Sequence, residues 1–206
     1  RAVDGVPGPW HLVHLGARAQ GGAGLVMTEM TDVSPEGRIT PGCTGLYNDA
    51  QREAWRDIVA FVHDNTDARI GVQLAHAGRK GSTCIPFAAG YDVPPAADAG
   101  RWETVAPTAI PWAEGHPAPR AMTRDDMLRV TQDFVDATVH ARDAGFDLVE
   151  LHCAHGYLLA SFLSPLTNRR TDAYGGTLVN RLRFPLAVFA AMRAGWPEHP
   201  PLSGGI

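Results

Sequence analysis

Apolar positions recur along this chain in two alternating rhythms, one of helical period and one of short unbroken runs. Between residues 9 and 21, Leu12, Leu15 and Ala19 return at helical spacing, Pro9 suits a first turn and Gly21-Gly22 a stop. Residues 24–30 form a short apolar run with polar residues near its end, the pattern of a buried strand. Residues 31–47 hold Pro35, Gly37, Pro41, Gly42 and Gly45, so loop is expected there. Asn48 then suits a helix cap, with Gln51 in the reciprocal position, and Trp55, Ile58, Val59 and Val62 mark one apolar face. Residues 69–74 predict a second strand. Thr123 followed by Asp126 predicts a helix start, with a buried stripe of Met127, Val130, Phe134 and Ala141 and a stop at Gly145. A third strand is expected over residues 146–152, and a helix over 177–193 that Pro185 should kink or split. Residues 201–206 begin what reads as a fourth strand.

Helix and strand therefore alternate, which predicts a parallel α/β architecture, either a barrel or a doubly wound sheet. Polar residues cluster just after each strand: Glu29 and Thr31, Gln73 to Arg79, and His152 to Tyr157. No GxGxxG follows a strand, so a dinucleotide-binding unit lacks support and the barrel is the better reading. Four strands are about half of a (β/α)8 barrel, which usually takes ~250 residues. The expectation is an incomplete (β/α)8 TIM barrel, roughly strands 2 to 5 with their helices. Residues 1–206 would then be one partial domain, truncated at both ends. The start at Arg1-Ala-Val-Asp-Gly, without an initiator methionine, suggests an N-terminus further upstream, or one removed by processing or cloning. Between residues 81 and 122 periodicity vanishes. Seven of the sixteen prolines fall within it, and so long an irregular stretch is usually a lid or binding loop.

Composition narrows the class of partner. Hydrophobic content of 45% with 19% charged residues is that of a soluble globular protein. A formal charge of −4 offers no electrostatic reason for nucleic acid or an anionic membrane. No run reaches the ~18 apolar residues of a membrane span, and no signal peptide opens the chain. The three cysteines, Cys43, Cys84 and Cys153, lie far apart without a CxxC pair. That spacing speaks against a disulfide framework and a structural zinc site, and a reducing cytoplasm is expected.

The sharpest chemistry lies at the end of the third strand. His152 and His155 are three residues apart, with Tyr157 behind them. Two neutral imidazoles side by side can each donate a hydrogen bond to a single carbonyl or phenolate oxygen. One of them could instead be a structural hydrogen-bonder, and a buried tyrosine with a satisfied hydroxyl is common. A metal site is the rival: Glu150 falls on the same side of the strand as His152, and two histidines with a carboxylate could hold zinc or iron for hydrolase or lyase chemistry. Against it, no HExxH is present and a third ligand would have to come from a distant strand. Gln73 could satisfy backbone groups or read the donor and acceptor edge of a planar heterocycle. Arg79-Lys80 are either an ordinary solvated pair or receive anionic groups. For Arg169-Arg170, a structural pairing with Asp172 is the default.

These motifs resemble a known family. Gly71-Val-Gln-Leu-Ala-His-Ala-Gly-Arg-Lys80 is similar to the third-strand signature of the Old Yellow Enzyme family of flavin reductases. The stretch from Phe146 to Tyr157, continued by Ser164-Pro-Leu-Thr-Asn-Arg-Arg-Thr-Asp-Ala-Tyr-Gly-Gly176 and Asn180-Arg-Leu-Arg-Phe184, resembles its fourth-strand site and following helix. The resemblance runs from about Trp10 to Trp196. It implies an FMN-containing barrel in which NAD(P)H reduces the flavin and hydride passes from flavin N5 to an activated alkene. It further implies that His152 and His155 grip the substrate carbonyl or a phenol ligand and that Tyr157 supplies the proton. By the same resemblance Gln73 meets the pyrimidine edge of the flavin, the backbone at Met30 lies beside its ring, and no metal is needed. His11-Leu-Val-His-Leu-Gly-Ala-Arg18, Thr28-Glu-Met, Ile39-Thr-Pro-Gly-Cys43 and Lys80-Gly-Ser-Thr-Cys84 are most similar to one subgroup, the oxidoreductase domains of bifunctional salicylyl-CoA and 2-aminobenzoyl-CoA hydroxylase/reductases. The substrate would then be a small unsaturated carbonyl compound or an aromatic acyl-CoA. The full-length protein would carry a fused hydroxylase domain or form a homo-oligomer; an inactive fragment of the flavoenzyme is the remaining reading. The family's first strand would precede Arg1, and its fifth carries an arginine where this chain reads Leu202-Ser-Gly-Gly-Ile206. The strands that bind the FMN phosphate would follow Ile206. On these grounds the 206 residues alone are expected to hold FMN weakly or not at all.

Overall fold

The computed structural model describes residues 1–86, 90, 92–96 and 100–206. Helix α1 (Pro9–Gln20) leads into strand β1 (Leu25–Asp32), and α2 (Asp49–Asn65) into β2 (Arg69–Ala75). Two-residue strands β3 (Val105–Ala106) and β4 (Arg120–Ala121) follow, then α3 (Arg124–Ala144) and β5 (Leu148–His152). The chain continues through α4 (Leu158–Leu163) and α5 (Leu178–Gly195) to β6 (Leu202–Gly205).

The main sheet is parallel throughout, in the order β1-β2-β5-β6. Helices α1, α2, α3 and α5 pack side by side along one face. Parallel strands joined by helices on one face are the unit of an α/β barrel, and the structure bears out an incomplete barrel of four strands with their helices. The helix-facing residues of the strands, Ile70, Val72, Leu74, Val149 and Leu151, are buried against Trp55, Phe134 and Phe184. The opposite residues face the barrel interior and fall into register across all four strands. Met30 pairs with Gln73, Gln73 with Glu150, and Glu150 with Ser203. Because cross-strand partners share a face, this row forms one rung of the interior.

Local signals explain most element ends. Thr123 Oγ1 accepts from the Asp126 N–H, and the Asp126 carboxylate accepts from the Thr123 N–H, a complete capping box. Gly145 closes α3 in the left-handed region at φ 91°. Asn48 caps α2 by accepting from Gln51 N at 2.9 Å. The reciprocal half differs from expectation: Gln51 Oε1 accepts from the N–H of Tyr47, and its amide donates to Asp4 O. Pro185 does not split its helix, and α5 runs unbroken from Leu178 to Gly195. Pro185 is itself buried between Phe184 and Val188, so tertiary packing holds the segment helical despite the missing donor. The irregular stretch after β2 is tied down at several points. Trp102 donates its backbone N–H to Ser82 Oγ and its indole N–H to Glu36 O. The Arg170 guanidinium donates to Pro107 O and Met122 O while pairing with Asp172.

Candidate active site

The strand ends carry the chemistry. β5 delivers His152 at its last position, and the turn after it brings His155 (φ 58°) and Gly156 (φ 73°) through the left-handed region. This tight reversal folds the two imidazoles and the Tyr157 ring together. Ring centroids of His152 and His155 lie 4.9 Å apart, and those of His152 and Tyr157 5.0 Å apart, each pair edge to face. A second loop locks the turn in place. Gly78 sits at φ 60°, and a Cβ there would meet the Leu158 backbone at 2.9 Å, so glycine is required. From the same loop Lys80 Nζ donates to His155 O at 2.9 Å while lying 3.8 Å above the Trp112 ring, and Arg79 donates to Pro111 O. Arg79 and Lys80 are thus structural clamps here.

The two imidazoles are joined in series. His152 Nδ1 accepts from the Ala154 N–H at 3.1 Å, which places the proton of neutral His152 on Nε2. That Nε2 lies 3.1 Å from His155 Nδ1, so His152 donates to His155 and leaves His155 Nε2–H as the outward donor. Two donors side by side require His155 to turn away from His152. Burial first, and then the neighbouring His155, lowers the His152 pKa and favours the neutral ring. Desolvation pushes the Tyr157 phenol up to about 12, with Cys43, Asp32 and Asp92 adding to the rise.

Beside this cluster opens a cavity of about 740 Å³, walled by Met30, Cys43, Thr44, Thr83, Ile85 and Tyr157. Met30 and Tyr157 are therefore brought together, with His152 and His155 packed behind Tyr157. Gln73 shares the rung of Met30. Its Nε2 donates to Glu150 Oε1 at 2.6 Å, so the carboxylate expected beside the histidines as a metal ligand is held by Gln73. Among the described residues no group of three His, Cys, Asp or Glu side chains gathers to hold a metal ion.

Two participants escape a sequence reading. Asp32, two residues beyond Met30 on β1, is wholly buried, and neither carboxylate oxygen has a hydrogen-bond partner among the described residues. Burial raises its pKa well above the usual carboxylate range, and Cys43 adds to the shift. An aspartate at the last position of a mostly apolar and hydroxylic strand was the available signal. His11, buried on α1, takes the Gly8 N–H on Nδ1 and reaches Glu29 Oε1 with Nε2 at 3.1 Å. That hydrogen bond is the main reason Glu29 titrates low.

A parallel α/β barrel segment with histidines and a tyrosine over the carboxyl ends of its strands defines an enzyme-type site of the barrel class. Residues 3–197 match the NADH:flavin oxidoreductase / NADH oxidase family, and the chain belongs to that family. It is 44% identical over 204 residues to an NADH:flavin oxidoreductase of Gibberella zeae, covering 98% of this chain and 49% of that protein. Among solved structures it is similar to morphinone reductase, with a TM-score of 0.82 and 36% identity over 99% of this chain and 55% of that one. It is also similar to Old Yellow Enzyme from Pichia sp., with a TM-score of 0.82 and 30% identity over 95% of this chain and 50% of that one. The chain spans about half the length of the relatives it matches.

Proposed function

We propose that residues 1–206 form part of the barrel domain of an FMN-dependent oxidoreductase that uses NAD(P)H to reduce activated C=C bonds. The observation that carries this reading is the cluster of His152, His155 and Tyr157 at the end of β5, set beside a cavity walled by Met30. The interior fits a planar heterocycle: Met30 and Gln73 share a rung, and among the described residues no protein donor meets the Gln73 carbonyl oxygen. When bound, FMN supplies the hydride carrier between NAD(P)H and the substrate. His155 Nε2–H, and His152 once the two rings separate, hold the substrate carbonyl oxygen and withdraw charge from the alkene. Tyr157 keeps its proton across the neutral range and is the proton donor. Metal plays no part in these roles.

For the substrate, the motifs around Ile39 to Cys43 and Lys80 to Cys84 favour an aromatic acyl-CoA of the salicylyl or 2-aminobenzoyl type over a simple enone. The same resemblance supports a fused hydroxylase domain or a homo-oligomer in the full-length protein. Cys43, Cys84 and Cys153 are free thiols, in keeping with a reducing cytoplasm. Visible flavin absorbance of the purified full-length protein, followed by anaerobic addition of NADH or NADPH, tests the reading. Bleaching of the flavin and its return on adding cyclohexenone or the aromatic acyl-CoA are expected. A colourless protein that takes up no added FMN would overturn it.

A further inference from the structure

The pairing of Gln73 with Glu150 has a consequence for which ring the site accepts. A carboxylate accepts hydrogen bonds and donates none, so the side-chain amide facing Glu150 must present its NH2. The 2.6 Å separation of Gln73 Nε2 and Glu150 Oε1 is that of a charge-assisted bond. Glu150 is held in turn by its place between β2 and β6, with Ser203 Oγ 3.4 Å from its other oxygen. β6 carries glycine at 204 and 205, and a Cβ at Gly205 would stand 3.2 Å from Glu150 Oε1, so the strand leaves room for the carboxylate. With no arginine on β6, Gln73 and Ser203 are the side-chain hydrogen-bond partners of Glu150 among the described residues.

We infer that Glu150 is a positioning residue that sets the polarity of the Gln73 amide, turning its carbonyl oxygen toward the ligand so that the rung selects a planar ring with an N–H donor at that edge. A bare amide reads donors and acceptors equally by rotating about its last torsion; one anchored through NH2 keeps its carbonyl oxygen turned to a donor on the ligand. The inference rests on the FMN reading, because the imide N3–H of the isoalloxazine is the donor such an edge would take. Alkylating N3 removes the donor and leaves an unpaired acceptor facing a methyl group.

The test compares FMN with N3-methyl-FMN, binding to the full-length protein being followed by quenching of flavin fluorescence. Wild type is expected to prefer FMN by about tenfold or more, the usual cost of an acceptor left unpaired. Glu150→Leu frees the amide to turn, and the preference should fall at least about twofold below wild type while FMN still binds. Should Glu150→Leu fail to fold, Glu150→Gln serves, since its own NH2 lets the Gln73 amide adopt either orientation; a preference about twofold below wild type is expected, the loss when half the amides turn. Equal binding of the two flavins by wild type, or an undiminished preference in the folded variant, overturns the inference while leaving the cofactor assignment intact. Failure of wild type to bind either flavin overturns the cofactor assignment and the inference together.

Discussion

His152 is constrained on both ring nitrogens before any ligand arrives. One accepts the Ala154 N–H and the other meets His155, so the pair acts as a unit. Hydrogen bonds to a charged oxygen contribute roughly 1.5–3 kcal/mol each. We expect replacement of both histidines by alanine to weaken phenol binding tenfold or more and to slow alkene reduction severely, with FMN retained. Phenol titration of the flavin spectrum measures this, and unchanged affinity would remove the histidines from the oxygen-binding role. Asp32 sets a different problem, a carboxyl with no partner in the core. Its pKa is raised by folding, so its contribution favours the folded state at low pH and is lost as pH rises through the folded-state value. Asp32→Asn cannot ionise and should gain stability relative to wild type as pH climbs from 4 toward 8. Urea midpoints across that range check it, and a constant difference would mean that Asp32 is already charged at pH 4.

Elements formed where local rules and packing agree. The α3 cap is the clearest case, because Thr123 and Asp126 satisfy each other within one turn and Arg120 adds an ion pair at 2.6 Å to the same carboxylate. Thr123→Ala is expected to cost about 1 kcal/mol, read as a lower urea midpoint with an unchanged slope. A loss below ~0.3 kcal/mol would shift the capping role to Asp126 and Arg120 alone. The strands ending at Gln73 and His152 were legible for the same reason: apolar runs of this length with polar ends have few other uses. The six residues of α4, five of them apolar, are too few to show helical periodicity, and β3 and β4 pair across thirteen residues of proline-rich chain. Of the candidate site residues, His152, His155, Tyr157 and Gln73 stood out by residue type near strand ends, whereas Met30 came only from the family resemblance. The Gln73–Glu150 bond and the orphaned Asp32 depend on strand register, which no single strand encodes. Pro185 shows the converse, a local rule overridden by its neighbours in the core.

At the scale of the molecule, groups far apart in sequence jointly set the response to acid. His76, just after β2, is buried, its Nδ1 accepts from Gly78 N, and its Nε2 has no partner among the described residues. Desolvation brings its pKa down from the ordinary 6.5 to about 4, against Glu36, which raises it; Arg129 lowers it further. Unfolding lets the ring take up a proton between those limits, so this residue's contribution to stability is present above pH 6.5 and lost as pH falls toward 4. The full effect is at most roughly 3 kcal/mol. Asp133, whose pKa burial pushes up to about 6, acts oppositely over nearly the same interval, and Asp32, also raised by burial, acts in the same sense as Asp133. The wild-type curve should therefore be shallow through cancellation, and only a difference against a variant isolates the histidine. His76→Asn keeps an acceptor near the Nδ1 position for Gly78 but cannot ionise. Measured by urea denaturation at pH 7, 5.5 and 4, the variant should gain on wild type by up to about 3 kcal/mol over that interval. Most of the gain should fall between pH 6.5 and 4.5, and the two ion-pairing neighbours, Glu36 and Arg129, stay in place in both proteins. A difference that stays flat within ~0.5 kcal/mol, the usual limit of additivity, would mean that His76 reaches solvent or a partner when protonated, and that the acid response resides in the paired carboxylates.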